Sequence, residues 1–75
     1  MKFRFTHHAQ YRLYTRIYSI QDIKHTILKP DFENRLQDGK IVSNKVSNKA
    51  CNGKILRVVY VYEQNTYIIL SFYYL

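Results

Sequence analysis

The sequence predicts an α+β fold in which a short N-terminal strand and two helices precede an antiparallel sheet of three to four strands. Two observations predict it. Apolar residues recur at helical intervals in the segment before Pro30, and the residues after Pro30 show strand-like alternation interrupted by turn-forming pairs. A chain of 75 residues has room for one hydrophobic core, so we expect a single domain over residues 1–75.

The first strand is predicted at "KFRF", Lys2–Phe5, where charged and aromatic side chains alternate. Thr6 is a suitable N-cap for a helix from about His7 to Tyr18. The predicted core-facing stripe of this helix consists of three apolar residues at four-residue intervals, Ala9, Leu13 and Ile17.

A second helix is predicted from Ile20 to Lys29. Ser19, followed three residues later by Asp22, resembles a capping box, and Pro30 ends the helix. Four apolar residues are expected to face inward, Ile20, Ile23, Ile27 and Leu28.

The remaining residues form strands joined by turns. "DFENRL" leads to the turn pair Asp38-Gly39, and "KIVSNKV" leads to the pair Asn52-Gly53. "KILRVVYVYE" and "YIILSFYY" are two further strands joined by "QNT". These segments predict the antiparallel meander.

Basic residues dominate the charged side chains. Lys and Arg number 12 against 5 acidic residues, which gives a formal net charge of +7. Such a charge favours nucleic acid, an acidic protein or an anionic membrane as partner. No acid precedes Asp22, and none lies between Gly39 and Tyr62, so the chain contains two purely basic regions.

The composition argues against several classes of protein. The carboxylates show no clustered spacing for a metal-dependent nuclease, and both glycines lie in predicted turns rather than in a phosphate-binding loop. We therefore expect no metal and no cofactor. Cys51 is the single cysteine, which fits a reducing compartment, and no secretory signal or apolar run of about 20 residues is visible. These features predict a soluble cytoplasmic protein that does not enter a membrane.

A polar row borders the apolar stripe of the first helix. His8, Arg12 and Arg16 share its four-residue spacing, shifted by one position, so at about 100° per residue the two rows are neighbours. Such a row is either a solvated or partner-binding face, or one wall of an anionic site. Histidine transfers protons near neutral pH and arginine binds phosphate in a fork geometry. Together they suit metal-independent cleavage of RNA.

Two motifs carry a resemblance to a known family. The pattern "HAQYRLYTRIYSIQDI" and the later "GKILRVVYVYEQNTYIILSFYY" are similar to the two halves of the family called domain of unknown function 4258. The resemblance implies a RelE-like β-α-α-β-β-β domain, related to the barnase, EndoU and colicin nucleases. It also implies a metal-independent ribonuclease, often the toxin of a toxin–antitoxin pair. Carried over position by position, it assigns catalytic roles to five residues, His8, Arg12, Arg16, Arg57 and Ser71.

We therefore expect an mRNA-interferase toxin whose partners are RNA, free or on the ribosome, and a cognate antitoxin protein. Four lysines of the second basic region are expected to hold the RNA backbone, Lys40, Lys45, Lys49 and Lys54. Two alternatives remain open at this point. One is a non-catalytic module that binds nucleic acid or an acidic protein, and the other is a gyrase-inhibitor type of toxin with the same fold.

Overall fold

The structure is a computed structural model and describes residues 2–14, 18–46 and 54–75. It confirms the α+β class. Arg16, Ile17, Lys49, Cys51 and the pair Asn52-Gly53 lie outside the described residues. The elements in chain order are β1 (Lys2–Phe5), α1 (His7–Leu13), α2 (Ile20–Leu28), β2 (Phe32–Arg35), β3 (Ile41–Val46), β4 (Ile55–Glu63) and β5 (Thr66–Tyr74).

The strands form one mixed sheet with the order β1-β5-β4-β3-β2. Strands β2 to β5 are an antiparallel meander, whereas β1 pairs parallel to β5, with Phe5 opposite Ile69. The predicted antiparallel meander after the two helices is confirmed and has four strands. The β-α-α-β-β-β order is wrong in strand count, because five strands are present, and the complete sheet is mixed rather than antiparallel. The two helices carry the chain away from β1, so β1 occupies the sheet edge beside β5 instead of pairing with a sequence neighbour.

Helix α1 begins where the sequence predicted. Thr6 has an extended backbone, and its hydroxyl accepts the Ala9 N–H at 3.3 Å. The helix ends at Leu13, so the predicted end at Tyr18 is wrong. The Tyr18 side chain is instead committed to tertiary packing, because its ring lies edge-on to Phe72 and stacks on Tyr74.

Helix α2 also has the predicted cap, since the Ser19 hydroxyl accepts the Asp22 N–H at 3.4 Å. Ile23 and Ile27 are buried, but Ile20 and Leu28 are 47% and 46% exposed. The inward orientation predicted for these two residues is wrong, because Leu28 lies roughly 140° around the helix from Ile23 and Ile20 lies in the first turn. No helix in the described ranges is long and apolar enough to cross a bilayer.

Both helices pack on the same face of the sheet, which we call the helix face. α1 lies against β5 and β1, and α2 lies against β4 and β3. The opposite face, which we call the open face, carries no helix or strand from the described parts of the chain. The core on the helix face consists of Ala9, Ile23, Ile27, Ile41, Leu56, Val58, Tyr60, Ile69 and Phe72.

Candidate anion-binding site

A β-bulge in β5 determines which side chains reach the open face. Tyr60 pairs with Ile69 and Val59 pairs with Ser71, so Leu70 is an extra residue in β5. Ile69 and, after the bulge, Phe72 both belong to the core. The bulge therefore directs Ser71 to the open face, and Tyr73 two residues later lies on the same face.

Arg57 lies at the centre of this part of the open face. Its neighbours across the sheet are Asn44 on β3 and Tyr73 on β5. Its Nε donates to Asn44 Oδ1 at 2.8 Å, its Nη1 donates to the Tyr73 hydroxyl at 3.5 Å, and its Cζ lies 5.9 Å from the Tyr73 ring centroid. Asn44 is buried, so the short bond to its amide oxygen fixes the position of the half-buried guanidinium.

The positive charge of Arg57 has no compensating carboxylate within ion-pair distance among the described residues, because the ion pairs found there join Lys40 to Asp38 and Lys45 to Asp31. A partly desolvated cation that contacts only neutral groups is well suited to bind an anion. A groove of about 530 Å³ lies beside Arg57, and its β2 side carries Asp31 and Glu33. The Glu33 carboxylate accepts from Tyr60 on the helix face, and Asp31 is paired with Lys45. We expect an anion to approach Arg57 from the Ser71 and Tyr73 side, where two hydroxyl groups can also donate to it.

Arg12 stabilises the edge of β5 where β1 no longer covers it. Strand β1 ends at Phe5, and beyond Ile69 the backbone of β5 has lost its strand partner on that side. Arg12 Nε donates to the Phe72 carbonyl at 2.9 Å, and its Nη2 donates to the Tyr18 hydroxyl at 3.0 Å. Arg12 thus supplies a hydrogen bond in place of a strand, and it fixes the segment that follows Ser71.

His8 lies on α1 one helical turn before Arg12. Four residues correspond to about 40° around a helix, so both side chains lie on the same flank, the one that reaches the edge of β5. His8 is exposed, and among the described residues its imidazole makes no hydrogen bond or ion pair. No hydrogen bond within those ranges joins His8, Ser71 and Arg57. Of the five residues assigned by resemblance, Arg57 and Ser71 lie on the open face, and Arg12 bonds to the edge of β5 from α1. His8 shares the helix flank of Arg12.

The lysines predicted to hold RNA are distributed differently. Lys40 Nζ lies 3.5 Å from Asp38, and Lys45 Nζ lies 3.7 Å from Asp31, at the β2 edge of the sheet. Lys54 is exposed and precedes β4. The structure thus places Lys40 and Lys45 with carboxylates at the β2 edge. Lys45 and Lys54 both lie at the end of the sheet where β5 finishes, because Lys45 pairs with Leu56 and Leu56 pairs with Tyr74.

Sequence reasoning missed Asn44 and Tyr73, the two hydrogen-bond partners of Arg57. Asn44 lies in the alternating segment "IVSNKV", where a polar residue at a central strand position was an available signal. Tyr73 had no such signal, because its orientation depends on the bulge at Leu70. No group of three or more His, Cys, Asp or Glu within the described ranges could hold a metal ion.

Fold and site together define a class, a small basic α+β protein with an arginine held by neutral partners on the open face of its sheet. A family model described as Domain of unknown function (DUF4258) matches residues 5–74. The chain therefore belongs to the DUF4258 family, as its two motifs indicated. No curated protein matches the chain, and no solved structure matches it either.

Proposed function

We propose that this protein is a metal-independent endoribonuclease with a RelE-like domain, acting as the toxin of a toxin–antitoxin pair in the cytoplasm. The observation that carries the proposal is the environment of Arg57. Its guanidinium is half-buried on the open face, and its hydrogen bonds go to Asn44 and Tyr73. An RNA phosphate would supply the negative charge that this environment lacks, and phosphate contacts dominate the binding of nucleic acids by basic proteins.

The proposed reaction needs no metal. A base accepts the proton of a 2′-hydroxyl, the 2′-oxygen attacks the adjacent phosphorus, and the 5′-oxygen leaves with a proton from an acid. The products are a 2′,3′-cyclic phosphate and a 5′-hydroxyl. Arg57 binds a non-bridging oxygen and stabilises the charge that develops there. His8 transfers a proton, because imidazole exchanges protons near neutral pH.

Ser71 and Tyr73 complete the proposed phosphate site. The Tyr73 hydroxyl accepts from Arg57, so its own proton is directed elsewhere and can be donated to a phosphate oxygen. Ser71 lies two residues before it on the same face and offers a second hydroxyl. Arg12 is a positioning residue in this proposal, since its bond to the Phe72 carbonyl holds the strand between the two hydroxyls.

The antitoxin would inhibit the protein by covering the open face. This face combines apolar side chains of β3, β4 and β5 with Arg57. An antitoxin segment with apolar and acidic side chains would bury the apolar side chains of this face and neutralise the charge of Arg57.

Cleavage of RNA in EDTA tests the proposed function. Labelled RNA is incubated with the full chain, with and without ribosomes, and the product ends are identified. We expect 2′,3′-cyclic ends with the wild type, and a loss of on the order of 100-fold in rate for His8→Ala, the scale of general acid–base catalysis. His25→Ala is the matched control, because His25 is an exposed histidine on α2. Intact RNA in both reactions, with a folded protein, would refute ribonuclease activity.

A second candidate function, a non-catalytic RNA-binding module, is favoured by one observation. Among the described residues, no hydrogen bond links His8 with Ser71 or Arg57. This alternative predicts that Arg57→Ala weakens RNA binding while His8→Ala changes neither binding nor any cellular effect. Arg35→Ala is the control for Arg57→Ala, since Arg35 is an exposed arginine of β2.

A further inference from the structure

The outward side of α1 carries a stripe of aromatic rings that the site described above does not use. His7, Tyr11 and Tyr14 are spaced by four and three residues, which places them within about 60° of one another around the helix. Tyr14 is the C-cap and keeps helical backbone angles. We call these three residues the outer stripe of α1. It points away from the sheet, because Ala9 on the opposite side of the helix is buried.

These rings do not contribute to the core. Tyr11 is 73% exposed and Tyr14 is 81% exposed, so they are the two most exposed tyrosines in the described ranges. Because the two rings lie three residues apart on one side of the helix, they form a contiguous aromatic surface that a ligand can contact. The aliphatic residues of α1 that a docking protein helix would require, Ala9 and Leu13, pack inward. The outer stripe therefore presents planar rings without an aliphatic surface around them.

The basic side chains beside the outer stripe favour a negatively charged ligand. No acidic residue precedes Asp22, and the basic side chains His8 and Arg12 lie on the flank of α1 next to the stripe. Lys2 and Arg4 are exposed on β1 and belong to the open-face side of the sheet. Three of the five acidic residues, Asp31, Glu33 and Asp38, lie on or next to β2, at the opposite edge of the sheet. Exposed aromatic rings next to basic groups are the combination that binds single-stranded nucleic acid, whose bases stack while its phosphates meet cations.

We propose that the outer stripe of α1 is a base-stacking platform for single-stranded RNA. The inference rests on the proposed function, because it names the form in which the RNA substrate is held. At 1.5 Å per residue, the stripe from His7 to Tyr14 extends roughly 10 Å along the helix, a length that fits two or three successive bases. His8 and Arg12 occupy the flank between the stripe and β5, so a strand stacked on the rings continues to the uncovered edge of β5, and around that edge lie Ser71 and Arg57 on the open face.

Binding of a short fluorescent 2′-O-methyl RNA tests this proposal. The 2′-O-methyl group removes the nucleophile, so the oligonucleotide binds without being cut. Anisotropy titrations of the full chain should show that Tyr11→Ala and Tyr14→Ala each weaken binding by on the order of five-fold or more. Tyr11→Phe should bind as the wild type does, because it keeps the ring. Alanine is the best helix former, so these variants keep α1, which circular dichroism checks.

Two controls separate stacking from general effects. Tyr62→Ala removes an exposed ring at the far end of β4 and should leave binding unchanged. An oligonucleotide of the same length without bases should bind the wild type and Tyr14→Ala equally, because only phosphate contacts remain.

The outcomes distinguish this inference from the proposed function. If Tyr11→Ala and Tyr14→Ala bind the oligonucleotide as the wild type does, the stacking platform is refuted, whether or not the wild type cuts RNA. If binding depends on both tyrosines but RNA stays intact in EDTA, the platform stands and the proposed ribonuclease fails. If the wild type binds no oligonucleotide, the stacking platform is refuted, and the proposed ribonuclease is then decided by the cleavage reactions in EDTA with and without ribosomes.

Discussion

Replacing Arg12 should destabilise the fold before it affects any chemistry. The guanidinium makes hydrogen bonds of 2.9 Å to the Phe72 carbonyl and 3.0 Å to the Tyr18 hydroxyl. Hydrogen bonds from a charged donor contribute about 1.5–3 kcal/mol each when buried. Arg12 is only half-buried, and water can replace part of each bond. We therefore expect Arg12→Ala to lower the free energy of unfolding by about 2 kcal/mol.

Urea unfolding followed by circular dichroism measures this effect. For a domain of this size, about 2 kcal/mol corresponds to a decrease in Tm of roughly 8–16 °C. Arg12→Lys keeps the charge but lacks the Nε donor, so it should recover less than half of the loss. Tyr18→Phe removes only the hydroxyl that accepts from Arg12, and a double-mutant cycle with Arg12→Ala should give a coupling of about 1 kcal/mol.

Arg35→Ala is the matched control, because this exposed arginine of β2 should change stability by no more than about 0.5 kcal/mol. If Arg12→Ala unfolds at the same urea concentration as the wild type, the argument that Arg12 replaces a missing strand at the edge of β5 is wrong. A full loss of RNA cleavage without any loss of stability would instead give Arg12 the catalytic role that the resemblance implied.

Two further predictions concern the sheet. Burial raises the pKa of the Tyr60 hydroxyl above its usual 10.0, and the nearby Glu33 carboxylate adds to the effect. The folded state keeps the Tyr60 proton at a pH where the unfolded chain loses it. The free energy of unfolding is therefore complete below about pH 10 and decreases as the pH rises through the raised pKa. Urea unfolding in alkaline buffers should show a smaller decrease for Tyr60→Phe than for the wild type, and an equal decrease would contradict this. In the β4–β5 hairpin, Gln64 and Asn65 have positive φ angles of 49° and 61°. Asn adopts such angles more readily than Gln, so Gln64→Asn should raise the free energy of unfolding by about 0.5 kcal/mol. An unchanged or lower Tm would count against this turn conformation.

The sequence predicted the features that depend on near neighbours. The hydroxyls of Thr6 and Ser19 each bond to a backbone N–H three residues later, so the helix starts follow from a few adjacent residues. Strand β4 follows from its own alternation, with Leu56, Val58 and Tyr60 buried in turn. In each case the interaction that fixes the structure lies within the segment that shows the pattern.

Contacts between distant segments could not be predicted in this way. Thr6 donates to the carbonyl of Leu70, 64 residues later, and nothing in "KFRF" indicates that it pairs with β5 rather than with β2. The role of Arg12 depends on that pairing, because β5 has an uncovered carbonyl at Phe72 only where β1 ends. From its spacing on the helix alone, Arg12 was as well suited to bind a phosphate as to bond to the backbone of β5.

The bulge at Leu70 explains how one strand supplies both the core and the candidate site. Tyr67 and Ile69 face the helices, and regular alternation from them would carry Ser71 and Tyr73 into the core and expose Phe72. The extra residue reverses the alternation, so Phe72 is buried and Tyr73 meets Arg57. The same irregular segment lies where β1 ends and α1 begins, and there Thr6 and Arg12 take over the backbone carbonyls of Leu70 and Phe72. The arrangement of Ser71, Tyr73 and Arg57 therefore depends on two departures from a regular sheet, an inserted residue and a missing strand, and both are stabilised from α1 and its cap.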